Sequence, residues 1–540
     1  MQTEFDYIII GAGSAGCVLA NRLSADPDIS VALIEAGKRD TNPMIHMPIG
    51  YGKTTSEPGE SWHYFSQPEP HINNRRMLLP RGKGLGGSSN INGMIYIRGQ
   101  REDFDGWSQL GAIGWGWQDV HPYFRKSARH ASGAREDFGD GPLWVEKAQF
   151  SDPTSDAMIN AFNSIGVPRN DDFNGDDQWG AGYFDANIKD GKRWSAAMAY
   201  LRPAEKRSNL TIVTDAHVKE ITFEGKQATG IIYHRKSGEH IVTAKRETIL
   251  SAGAYHSPQL LQLSGIGAAE HLRSLGIGIR ADNSEVGANL QDHIIPPLAW
   301  RVKPGVYSQN DELRAPKVIW NFMRYLVTKK GPMTNPAAPV GAFVKSDPAL
   351  EQPDIQFHCL PLTGDLEVAS RGEKSKLSPH SGFTLGPYFL RPESRGTAMA
   401  ASKDPFQTPA IIHNYLAAAY DRKVTLEAIK IARQIAATPY LAPLIAEETD
   451  PGKEVQSDDE LIAFAREYGM TGFHPVGTCR MGIDEDAVVD PQLRVNGVKC
   501  LRVVDASIMP RLISGNTHAT TVMIAEKAAD MILKDKQRSD

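Results

Sequence analysis

The run Gly11-Ala12-Gly13-Ser14-Ala15-Gly16 stands directly after the apolar stretch Phe5-Asp6-Tyr7-Ile8-Ile9-Ile10, and Glu35 closes the next apolar run. Residues of these types at these spacings bind a dinucleotide. The glycines let backbone amides approach a pyrophosphate, and the positive end of a helix opening beyond the turn favours its charge. Glu35, with Ala36 beside it, is placed to accept a ribose hydroxyl, and an acid there repels a 2′-phosphate. FAD or NAD is therefore expected over NADP. The glycine spacing alone is a weak signal; the strand before it, the helix after it and the acid at the right distance make it specific.

The whole chain must position that cradle. At 540 residues it exceeds what one growing core accommodates, so two domains are expected, and 41% hydrophobic residues suffice to bury them. A net charge of −5 gives no basic surface for nucleic acid. Cys17, Cys359, Cys479 and Cys500 show neither CxxC spacing nor a paired framework, so reduced thiols in a cytoplasmic compartment are expected, with no metal site. The first residues lack a basic segment and a cleavage site, and no apolar run reaches about 18 residues, so neither export nor a membrane span is expected. Peripheral contact with the inner membrane stays open. The charged tail Lys534-Asp535-Lys536-Gln537-Arg538 could supply it, although it reads better as a frayed, solvated terminus.

Strand-like pieces recur far downstream of the cradle. Thr211–Thr214, Val218–Phe223 and Glu247–Leu250 have strand character, and Leu501–Val504 ends at Asp505. Between them, 298–464 has a different texture, with the proline-bounded strand Asp354–Phe357 and the helix Val424–Ala437. The expected fold is α/β: a discontinuous Rossmann-like domain from 1–155, 205–297 and 465–540, and an inserted α+β substrate-binding domain from 156–204 and 298–464. A closing helix over Thr520–Leu533 presents one apolar stripe, and its positive end would face the cofactor near Thr520.

Two further glycine-containing stretches carry a family resemblance. Gly82-Lys83-Gly84-Leu85-Gly86-Gly87-Ser88-Ser89-Asn90-Ile91-Asn92 resembles the first motif of the glucose-methanol-choline (GMC) oxidoreductases. Gly253-Ala254, through Ser257-Pro258-Gln259-Leu260-Leu261 to Ser264-Gly265-Ile266-Gly267, resembles the second. With Val286–His293, His474-Pro475-Val476-Gly477-Thr478 and Val504-Asp505-Ala506-Ser507, the likeness spans almost the whole chain. It implies FAD as cofactor. Gly86 and Gly87 would let backbone lie against the flat ring, Ser88, Ser89 and Asn92 follow with short polar groups, Asn92 beside the flavin, and Gly84 and Gly93 are further expected cofactor contacts. Asp505 and Ala506 resemble the contact to the ribityl chain, and Val218 a backbone contact to adenine. Asn90 stands where some relatives carry a flavin-linked histidine, so the FAD is expected to be noncovalent.

The resemblance also implies the chemistry. Hydride leaves an alcohol carbon for flavin N5 once a base has taken the hydroxyl proton. His474 resembles the family's catalytic histidine and is read as that general base. The family's second residue, histidine or asparagine, follows about 44 positions later, which lands on His518, read as the partner that hydrogen-bonds the substrate oxygen. An imidazole base titrating near ~6.5 would make reduction rise with pH through that value. The implied reaction is oxidation of a primary alcohol to the aldehyde, the substrate being neutral, a sugar or a polyol. Gly331–Phe343, where choline dehydrogenases carry a glutamate, has no acid, which disfavours choline. Phe473, Phe357 and Trp320 are candidate pocket aromatics, with core packing as their ordinary role. The acceptor is a quinone, another carrier or oxygen. The rival reading is a hydroxynitrile lyase of the same fold, which holds FAD without net redox chemistry.

Overall fold

The computed structural model describes residues 3–133, 135–370 and 376–539. Its first sheet is built around Glu4–Ile10 and Val31–Ile34, two strands apolar along almost their whole length and buried on both faces, as parallel strands under helices must be. Leu210–Val213 lies outside Val31–Ile34, and the long strand Gly238–Leu250 lies on the other side of Glu4–Ile10, all in parallel. Leu501–Val503 pairs parallel with the end of the long strand. Its beginning pairs antiparallel with Gln227–Arg235, which in turn pairs with His217–Glu224.

The register decides the function of this sheet. Ile10 is level with Ile34 and with Leu250, and Leu250 is level with Val503. The residues that follow, Gly11, Glu35, Ser251 and Val504, therefore emerge in one row at the carboxyl edge, the edge at which open α/β sheets bind ligands. Pieces separated by hundreds of positions are brought together by strand pairing alone. Two helices cover one face: Ser14–Leu23, and the closing helix, which runs from His518 to Ser539 and starts two residues earlier than the sequence suggests. They are joined by Arg22 and the fully buried Glu526 at 2.6 Å, and Glu526 also accepts from Tyr200. The expected frayed tail is instead docked: Asp535 pairs with Arg494 and Arg502, and Lys536 with Asp26.

The second sheet is antiparallel, in the order Ile445–Asp450, Leu298–Val302, Gly382–Phe389, Ile355–Leu360, Val340–Val344 and Gly180–Tyr183. In Ile355–Leu360 the period of two separates two roles. Ile355, Phe357 and Cys359 enter the core shared with the helices Pro153–Ser164 and Ala419–Ala436. Gln356 and His358 face the opposite way, toward the first domain. Phe357 thus packs edge-on to Phe162 in the core. Contributions cross the segment boundaries read from the sequence: Tyr64, Ile72, Met77 and Leu79 join this second core, while Ala196–Ala204 packs in the first. Apolar side chains go to whichever sheet lies beneath them, whatever their place in the chain.

The three cradle glycines do different things. A Cβ on Gly11 would stand 2.5 Å from the Ser251 carbonyl, at φ +96°, and one on Gly16 only 1.9 Å from the Gly11 carbonyl. A Cβ on Gly13 would meet nothing within 4 Å. Gly16→Ala is accordingly expected to destabilise the fold by about 2 kcal/mol or more, read as a fall in unfolding temperature of the cofactor-free protein. Gly13→Ala is expected to unfold like the parent yet hold FAD at least ~10-fold more weakly, since the added methyl occupies the approach to the pyrophosphate.

Candidate active site

Around the cradle, backbone loops are tied together by one carboxylate. Glu35 is 7% exposed, and its oxygens accept from the amides of Ala12 (2.8 Å), Gly37 (2.8 Å) and Gly84 (3.0 Å). The glycine-rich segment 82–87 lies directly on the cradle: a Cβ on Gly87 would be 2.6 Å from Gly13 Cα. Ser88 Oγ accepts from the Gly82 amide at 3.1 Å. Asp505 closes the far side, accepting from the Gly253 amide (2.8 Å), the Ser257 hydroxyl (2.6 Å) and the Ser507 amide (2.8 Å). Glu35 and Asp505 thus fasten the loops of the cradle as well as standing beside it. Val218 is buried in its strand, and the Thr520 hydroxyl donates to the Arg98 carbonyl, so that side chain is spent on the protein.

Several positions nonetheless fit a flavin dinucleotide. Gly11, Gly13, Ser14, Ala36, Asn92, Gly93 and Ala506 are each partly exposed within otherwise buried segments. Asn92 Oδ1 accepts from the Met94 amide and from Arg193, which leaves its NH2 group free to donate. Arg193, 1% exposed, retains one buried Nη2 without a partner, and burial lowers its pKa to about 9. A buried cation of this kind suits a phosphate or an anionic ring edge, and the sequence reading missed it.

Among the described residues no hydrogen bond or ring contact joins the two histidines read as a catalytic pair. His518 opens the last helix, and its Nδ1 lies 3.0 Å from the Ser14 hydroxyl, on the phosphate side of the cradle. Beside His474 stands Asn516 instead, with Nδ2 3.0 Å from His474 Nε2. Asn516 lies in the irregular segment just before the helix, and its side chain reaches across to the 474 loop.

His474 is 7% exposed and held from behind. Its amide donates to Asp292 Oδ1 at 2.7 Å, and the same carboxylate accepts from the His293 amide, the Tyr415 hydroxyl and the Thr471 hydroxyl. Phe473, at φ +63°, turns the backbone so that the ring of His474 points inward while its own ring is 43% exposed. His474 Nδ1 lies 2.9 Å from His293 Nδ1, and His293 Nε2 lies 2.9 Å from the Leu390 carbonyl. A carbonyl only accepts, so His293 Nε2 carries its proton and its Nδ1 is bare; His474 Nδ1 must therefore donate. The lone pair of His474 is thereby placed on Nε2, facing Asn516. Asn516 in turn is oriented by Gln356, whose Nε2 donates to its Oδ1 at 3.2 Å, so the NH2 group faces the imidazole.

Burial and the neighbouring His293 and His358 push the His474 pKa well below its ordinary value, and burial lowers His293 to about 4 and His358 to about 3. The site holds neutral imidazoles, and its acid limb lies lower than the ~6.5 expected of an unperturbed histidine. The arrangement can take a proton at His474 Nε2 and donate a hydrogen bond from Asn516 Nδ2 to the same oxygen.

Two segments of the chain, residues 5–295 and 392–525, match family models described as GMC oxidoreductase. This chain belongs to the GMC oxidoreductase family. GMC oxidoreductases bind FAD and act on alcohols. This GMC oxidoreductase is 42% identical over 534 residues to the alcohol dehydrogenase [acceptor] of Pseudomonas putida, covering 98% of this chain and 96% of that one. It is 44% identical over 540 residues to an oxygen-dependent choline dehydrogenase of Yersinia pseudotuberculosis, covering 98% and 94%. Among solved structures it resembles pyridoxine 4-oxidase from Mesorbium loti, with TM-score 0.88, 32% identity and coverage of 97% and 98%. A formate oxidase structure matches with TM-score 0.92, 28% identity and 99% coverage of each chain.

Asn516, which the sequence offers only as a capping residue of the last helix, and Asp292, His293, Gln356 and His358 are not among the catalytic candidates read from the sequence. Two signals pointed to them: Asp292-His293 closes a family-like segment, and Gln356 and His358 alternate with apolar residues in a strand where nothing else is polar. His293→Leu is expected to slow anaerobic flavin reduction about 10- to 100-fold, as the loss of groups that orient a reactive histidine does elsewhere, with FAD still bound. His293, His358 and His518 stay neutral in the fold, with pKa values of about 4, 3 and 4, but titrate near 6.5 when unfolded. The unfolded chain then binds more protons below pH 6.5, so stability is full above that pH and is lost as pH falls toward 4; unfolding temperature measured across that window checks the sign.

Proposed function

We propose that this GMC oxidoreductase oxidises a neutral primary alcohol to its aldehyde, with noncovalent FAD, His474 as general base and Asn516 as the hydrogen-bond donor to the substrate oxygen. The observation that carries this reading is a buried, neutral imidazole whose Nε2 is unprotonated and accepts from the Asn516 amide NH2 at 3.0 Å. An alcohol hydroxyl that takes the place of Asn516 on the Nε2 lone pair gives its proton there, while the displaced NH2 donates to the oxygen and supports the charge that develops on it. Asp292 and His293 keep that lone pair aimed, and their own hydrogen bonds are complete, so the base does not have to reorganise. Bound FAD supplies the acceptor for the hydride. Its cradle residues would be Gly11, Gly13, Ser14 and Glu35 for the dinucleotide, and Asn92, Arg193, Asp505 and His518 nearer the ring and phosphates.

A neutral substrate is supported by the segment Gly331–Ala338. It lies against the first glycine motif, where the Ala337 amide donates to the Gly93 carbonyl at 3.2 Å and a Cβ on Gly93 would meet Ala337 at 2.8 Å. It offers Met333, Thr334 and Asn335, all buried, and no carboxylate to balance a quaternary ammonium. Noncovalent flavin is supported by Asn90, whose amide donates to the Leu85 carbonyl and which cannot bond to the ring.

His474→Ala is expected to lower the rate of anaerobic flavin bleaching by at least ~10², with visible flavin retained. Asn516→Ala should lower the same rate, whereas His518→Ala should weaken FAD retention and leave the bleaching rate of the loaded enzyme near the parent's. Bleaching by neutral primary alcohols, with little by choline, and release of yellow flavin on denaturation complete the test. Faster reduction by choline than by any neutral alcohol would refute the substrate reading without touching the base.

A further inference from the structure

The helix Lys317–Thr328 turns its apolar side outward. Its inner face is Val318, Asn321 and Tyr325, the last two 4% exposed, packed with Met47 and Met333. Ile319 is 64% exposed, Trp320 71%, Met323 52%, Leu326 46% and Val327 81%. At about 100° of rotation per residue these five fall on one arc of roughly 120°. Trp320, a candidate pocket residue from sequence, is therefore a surface residue. Single exposed apolar residues are ordinary, but five on one arc of a 12-residue helix form a contiguous patch.

The rim of this patch is basic. Lys317 and Arg324 border the arc, Lys329 and Lys330 follow it, and the stretch from Lys317 to Lys330 holds no acid, in a chain of net charge −5. Lys317 pairs with Glu312; Arg324, Lys329 and Lys330 form no ion pair among the described residues. Lys329 stays over the Tyr325 ring at 4.6 Å. A second copy of the chain docking here would set these cations against their own kind. An anionic lipid surface satisfies both halves, since the arc enters the acyl boundary while the cations meet headgroups.

We propose that Lys317–Lys330 seats this protein on an anionic membrane surface as an interfacial helix. Among the described residues no helix is long and apolar enough to cross a membrane, so the contact is peripheral. The helix runs directly into Gly331–Ala338, the segment lying on Gly93, so seating it would turn that side of the substrate region toward the lipid. The inference stands on the helix alone and does not rest on the proposed reaction.

Flotation of the FAD-loaded chain with phosphatidylcholine vesicles, with and without phosphatidylglycerol, tests it. The parent protein is expected to float with the anionic vesicles and less with the neutral ones. Combined Trp320→Gln, Leu326→Gln and Val327→Gln should abolish flotation, and combined Lys329→Gln and Lys330→Gln should weaken it about 10-fold or more. All variants should keep their flavin absorbance and their turnover with a water-soluble dye acceptor. Should the triple variant lose its flavin, the single Val327→Gln, at the most exposed of these positions, replaces it and should weaken flotation. A parent protein that stays with the unbound fraction at every composition overturns the proposal. So does a hydrophobic variant that floats like the parent, or a parent that is a dimer, does not float and becomes monomeric on the triple substitution.

Discussion

The carboxylate of Asp292 is the constraint on which the site depends. It is 5% exposed and accepts four hydrogen bonds, from two backbone amides and two hydroxyls, which together offset the desolvation of a buried charge. Those donors come from three separate parts of the chain: residue 293, residue 415, and residues 471 and 474. By collecting them it fixes where the 474 backbone runs and where the neighbouring imidazole of His293 lies. Nε2 of His474 touches none of this directly. It inherits its direction through a second imidazole and, beyond that, from one carbonyl, that of Leu390.

The neutral state of His474 is a product of the same burial. Water would favour the charged form of each histidine; removing water favours the neutral form, and three imidazoles close together reinforce the effect, because charging one penalises the next. The two domains share the cost of building this. The first supplies His474, His293 and Asn516 from loops. The second supplies Gln356 and His358 from the middle of a strand, where pleating alone turns them toward the site. A strand is a stiffer mount than a loop, and from it Gln356 orients the Asn516 amide that faces His474.

The cradle follows a parallel logic. Backbone amides and glycines make the surface on which a dinucleotide can lie, but the loops carrying them would drift apart without Glu35 and Asp505, each accepting three hydrogen bonds from several segments. Acidic residues that mark a cofactor site in sequence are thus also the fasteners that build it.

The α/β class and the strand–glycine turn–helix unit at the amino terminus were legible in the chain itself, because each is a local statement: apolar runs of strand length and a glycine spacing that sterics demand. Family membership was equally readable, since it rests on such contiguous motifs. The partner of His474 was not. Counting positions selects His518, whereas in the fold Asn516 contacts His474 and His518 contacts Ser14. Nor could spacing reveal that Asp292, His293 and Gln356 converge, since they are joined only by strand pairing and loop packing over long separations. Trp320 shows the same limit from the other side: its type suggests a pocket, and only the packing of Asn321 and Tyr325 beneath it decides that it faces out. Local sequence fixes which groups exist and which elements they ride on; burial of the elements against one another determines which groups meet.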